Sequence, residues 1–127
     1  MSESQIITFT VGSGQTIDQY AALELASGAV QEAGAVTDSL IGVAQDSATA
    51  GEKVAVAVGG VTKVLVNGNS ANIAAGDNLS CSTTAGVLIK HDAQTNTRYV
   101  AKAMEAATAD GMIIWALIYP YQPQKTA

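Results

Sequence analysis

IGVAQDSATAG, residues Ile41 to Gly51, runs into EKVAVAV, Glu52 to Val58, and the chain writes this arrangement twice. VAKAMEAATA, Val100 to Ala109, is followed by Asp110, Gly111 and a second apolar run, MIIWALIY. Setting Ile41 against Val100, an offset of 59, pairs Ala44 with Ala103, Asp46 with Glu105, and Ala48-Thr49-Ala50 with Ala107-Thr108-Ala109. Upstream, Thr16 to Leu25 lies over Asn72 to Cys81, and the Ser27-Gly28 turn over Ala85-Gly86, at offsets of 56 to 58. A drifting offset with features in the same order is the trace of a duplicated unit of strand, turn, strand, strand. Two copies are too few for a solenoid, so the expectation is one pseudo-symmetric domain.

Working outward from that unit, the segments read as short strands separated by turns. Val54, Val56 and Val58 alternate with Ala55 and Ala57, the period of a strand. Gly59-Gly60 then either closes a hairpin onto Val61 to Val66 or bends one long strand at a bulge. Asn67-Gly68-Asn69 is a turn, Ala85-Gly86 turns into a strand at Val87 to Ile89, and Arg98 to Ala103 is a strand, with a short helix over Ala101 to Ala109 as the alternative. Met112 to Tyr119 reads as the most buried strand. A helix over Gln15 to Leu25 is locally plausible, but its partner segment contains Gly76-Asp77, so a turn and a short strand from Ala21 to Leu25 are expected instead. The fold class expected is all-β, a compact small β-sandwich or barrel with an internal pseudo-repeat.

The ends are set apart. Gln5 to Val11 is β-branched and apolar, with Ile7, Phe9 and Val11 on one side and Thr8 and Thr10 on the other, and Gly12-Ser13-Gly14 stops it. Residues 1–14 are thus either an ordinary first strand or a flexible arm that adds to a neighbour's sheet, with Ile6, Ile7, Phe9 and Val11 as its contact residues. Residues 15–120 form the single β domain, and 121–127, following Pro120, a mobile tail.

Composition narrows the functional classes. With six Lys and Arg against eleven Asp and Glu, the chain cannot neutralise a row of phosphates, which excludes nucleic acid and anionic membrane surfaces as expected partners. The longest apolar run, Met112 to Tyr119, is far below the ~20 residues of a spanning helix, and the N-terminus lacks a signal-peptide pattern, so a soluble protein is expected. Cys81 is the one cysteine and His91 the one histidine. A metal cluster cannot be built from one of each; a Cys–His dyad is possible in principle, but Cys81 is expected in the core and His91 in a loop. The carboxylates are scattered through turns without calcium-loop spacing. No phosphate loop or dinucleotide fingerprint is present. No catalytic, metal or cofactor site is therefore expected, and the chain is not expected to be an enzyme. An Ala-and-Val core buries little area per side chain, which favours an oligomer. Trp115, Leu117 and Tyr119 share one face of the last strand and are expected in a core or subunit interface; with Tyr121, they would alternatively serve as an aromatic platform in a carbohydrate-binding module.

Three stretches, Gly42 to Val61, Ile73 to Asp77 and Ala103 to Gly111, resemble the capsid decoration, or cement, proteins of tailed bacteriophages. That family carries G-V-A-x-x-x-A-x-x-G-E-x-V-x-V-x-x-x-G-V, then I-x-A-G-D, then a second A-x-E-A-A-x-x-x-G. The likeness covers Leu40 to Tyr119, and departs from the pattern where Met112-Ile-Ile-Trp115 replaces a more polar strand. It implies a β domain, usually a homotrimer, on the outer surface of the expanded icosahedral capsid at three-fold and quasi-three-fold sites. Its partners would be the major capsid protein and itself, and it would staple the shell non-covalently against internal DNA pressure. A tail-associated β protein of a phage is the remaining alternative, and His91 to Thr97 would be the loop for outward display.

Overall fold

Alternating valines and positive-φ glycines organise this chain, a computed structural model that describes residues 4–35, 40–69, 71–90 and 99–119. The strands are β1 (Ser4–Thr10), β2 (Thr16–Ile17), β3 (Ala22–Ala26), β4 (Ala29–Glu32), β5 (Gly42–Ala44) and β6 (Ala48–Thr49). After them come β7 (Lys53–Asn67), β8 (Asn78–Cys81), β9 (Leu88–Lys90), β10 (Ala101–Ala103) and β11 (Asp110–Ile118). Among the described residues there is no helix; both helical alternatives, over 15–25 and 101–109, give way to strand and turn because their backbone groups are taken by neighbouring strands.

The long strand β7 resolves the Gly59-Gly60 ambiguity in favour of one bent strand. Opposite β1 its register slips, Gln5 facing Gly59 while Ile6 faces Ala57, so Val58 is the bulged residue. Gly60 at φ 82° takes up the bend. The two halves of β7 serve different barrels. Its second half belongs to a closed ring in the order β11-β10-β8-β9-β7, with β11 pairing back onto β7. Its first half continues through β5 and β3 to β4, with β1 on its other flank and a Val11–Val30 parallel bridge drawing β4 towards the end of β1.

Each barrel is one copy of the repeat. Ile17 pairs with Ala48 in the first, and Ile73 with Ala107 in the second. Ile41 N–H donates to Leu23 O at 2.9 Å, and Val100 N–H to Leu79 O at 2.9 Å. Phe9 opposite Val54 corresponds to Val64 opposite Ile114. Two cores follow: Val11, Ile17, Leu23, Val30, Val54 and Val56 fill the first, while Val64, Val66, Ile73, Leu79, Leu88 and Ile114 anchor the second. The lobes are joined through Gly86, whose N–H donates to Ala33 O and whose carbonyl accepts from Ala22 N–H.

The last strand departs from expectation. Ile114, Ala116 and Ile118 are buried, but Ile113 and Trp115 are exposed and Leu117 is half-buried, so β11 is a one-sided strand rather than a fully buried one. Its apolar run hid the alternation, because outward positions normally marked by polar residues are apolar here.

Candidate functional site

The internal duplication supplies a comparison of the chain with itself: positions that share a backbone role in both lobes differ only where one lobe does something extra. Opposite β7, the outward face of β11 carries Ile113, Trp115 and Leu117 facing Leu65, Lys63 and Val61. The same places in the first lobe hold Lys53, Ala55 and Ala57 facing Thr10, Thr8 and Ile6. Where the second lobe has Ile113 and Trp115, the first has Lys53 and Ala55, so these two large apolar residues are additions of the second lobe; at the Leu117 place stands the buried Ala57, opposite the exposed Ile6.

Trp115 sits at the centre of this row. Its side chain is 41% exposed, with Lys63 Nζ 5.5 Å from the ring centroid. A cation–π contact at an exposed site is worth about 0.5–1 kcal/mol, too little to offset leaving an indole in water. The backbone beneath is held firmly: Trp115 N–H donates to Glu105 Oε1 at 2.8 Å, and Met104 N–H to Trp115 O at 2.9 Å. Exposed Met104 is joined to Trp115 through this backbone bond, and Lys102 lies opposite Leu117 on β10. Tyr119 is half-buried; its hydroxyl donates to Asn78 Oδ1, and burial pushes the phenol above its ordinary pKa, so it remains a donor at neutral pH.

Of the residues expected in core or interface, Trp115 thus lies outside the core of its own chain, and Leu117 and Tyr119 lie at its margin. Tyr121, the other half of a stacking platform, and the His91 to Thr97 loop fall outside the described residues, as does the 121–127 tail. Cys81 is buried in the second core. Among the described residues no group of three His, Cys, Asp or Glu is placed to hold a metal ion.

The N-terminal segment splits in two. Val11 is buried, and Phe9 packs against the first core, so both are framework. Ile6 and Ile7, on the same side of the bulge, are exposed. β1 is laid along its own β7 over Ser4 to Thr10. Lys63 and Met104 were not singled out in the sequence, although aligning the two copies on strand register would have marked them; Glu105 was marked only as the repeat partner of Asp46.

The fold and sequence have recognisable relatives. The model of a family described as phage cement protein matches residues 3–118. In structure the chain is similar to the head fiber gp8.5 N base of bacteriophage phi29, with a TM-score of 0.65 at 19% sequence identity, covering 91% of this chain and 95% of that one. At that identity the likeness speaks for the fold. Among curated proteins, none matches the chain. With a match that spans both lobes and the shared strand between them, the chain belongs to the phage cement protein family, a family of structural, capsid-associated phage proteins.

Proposed function

We propose that this protein is a decoration protein of the outer surface of an expanded icosahedral phage capsid, bound as a homotrimer at three-fold and quasi-three-fold sites. It staples neighbouring copies of the major capsid protein without covalent chemistry and resists the outward pressure of packaged DNA. The observation that carries this reading is the exposed second-lobe pair Ile113 and Trp115, standing where the first lobe has Lys53 and Ala55, on a chain of the cement family. Exposed apolar patches of this kind mark protein contacts. Trp115 and Leu117 are assigned to the subunit interface, and Ile6 with Ile7 to the shell contact. Many weak contacts per copy, repeated over a shell, stabilise it through multivalency.

The test is co-sedimentation of the purified protein with expanded shells lacking it. Saturable binding at a fixed ratio to the major capsid protein, with a raised shell melting temperature, is expected. Absence of the protein from the pellet at any concentration would contradict it.

A further inference from the structure

The two lobes share a fold but not a charge. Residues 1–60 carry seven Asp and Glu against the single Lys53, a net of −6, while residues 61–127 carry four Asp and Glu against five Lys and Arg, a net of +1. Two of the second lobe's lysines, Lys63 and Lys102, border the Trp115 row. The first lobe has a mismatch of its own. Leu25, on the β3–β4 hairpin beside Glu24, is 49% exposed, whereas its counterpart Cys81 in the second lobe is fully buried. Within one duplicated framework, therefore, the acidic first lobe has an exposed leucine, and the second an exposed indole bordered by Lys63 and Lys102, with the Glu105 carboxylate on its backbone N–H.

We infer that the Trp115 face of one copy receives the β3–β4 hairpin of the first lobe of a second copy. Leu25 packs on Trp115 and Ile113, and the acidic first lobe as a whole faces Lys63 and Lys102. Opposite charge across a contact sets orientation and speeds encounter, and the buried aromatic supplies most of the affinity. Because two different surfaces meet, the contact is heterologous, and such contacts close into rings when the rotation permits. The inference rests on the cement reading for its three copies, but its surfaces are chosen by charge and exposure alone.

The experiment uses full-length protein and mass measurement in solution. Trp115→Ser is expected to weaken self-association roughly 30-fold, as for a hot-spot aromatic; Lys63→Glu with Lys102→Glu is expected to slow association and abolish its salt dependence. The decisive step mixes two defective variants. One carries Trp115→Ser alone, the other Leu25→Ser and Glu24→Lys. Each retains one good surface, so each alone is expected to be monomeric and the mixture to give a 1:1 heterodimer that grows no further. A Leu25→Ser, Glu24→Lys variant that still assembles like the unmodified protein would overturn the inference, as would unmodified protein that stays monomeric at all concentrations. If self-association fails while the protein still pellets with shells, the inference falls and the cement reading stands.

Discussion

Tyr20 and Gly76 hold the same position in the two lobes: each has a positive φ, 67° and 95°, and each donates its N–H to an alanine carbonyl, Ala44 at 2.8 Å and Ala103 at 2.7 Å. The first copy tolerates a side chain there because Tyr20 packs against the second core. Gly76 has open space around it, so a substitution there meets only backbone strain. Gly76→Ala is expected to cost about 1 kcal/mol, read as a lowered denaturation midpoint at unchanged slope.

Gly86→Ala is expected to cost more, on the order of 2–3 kcal/mol. At φ 80° its added Cβ would also stand 2.9 Å from Ala21 Cβ and from Glu32 Cδ. The glutamate can swing away, but the alanine is fixed in the first lobe, so the lobe junction must open. A variant as stable as the unmodified protein in chemical denaturation would show that the junction does not hold the lobes.

Removing residues 1–11 is expected to unfold the first lobe, because it takes Phe9 and Val11 from the core and uncovers β7. Ile6→Ser with Ile7→Ser touches only exposed positions and should change stability by no more than about 0.5 kcal/mol per site. The same double variant is expected to lose shell binding. Circular dichroism melts and co-sedimentation separate the two effects.

Glu32 sets a pH dependence. Burial raises its pKa, outweighing the opposing bond its carboxylate accepts from Asp18 N–H, and the Asp18 carboxylate adds to the rise. A carboxyl that is harder to ionise when folded contributes stability below its unfolded pKa and loses it as pH climbs through the folded value. Glu32→Gln should therefore melt higher than the unmodified protein at neutral pH, and the gap should close in acid. An unchanged gap across that range would locate the dependence elsewhere.

The duplication was legible because its markers are positions where few residues fit: the Gly28 and Gly86 turns and the Ile17 and Ile73 bridges recur in order. What the sequence could not separate was β7, since a Gly-Gly pair serves a hairpin and a bulge equally well. The outward face of β11 was hidden for a different reason. Periodicity finds a one-sided strand by its polar residues, and a strand with a second apolar face looks like a buried one. The resemblance of Gly42 to Val61 and Ala103 to Gly111 to cement proteins carried the family; the lysines around Trp115 emerged only from strand register.

The most direct measurement of the central claim is the copy number of this chain in purified virions, by mass spectrometry against the major capsid protein. A fixed simple fraction of the shell subunits is predicted. A handful of copies per particle, or none, would contradict a role as shell cement.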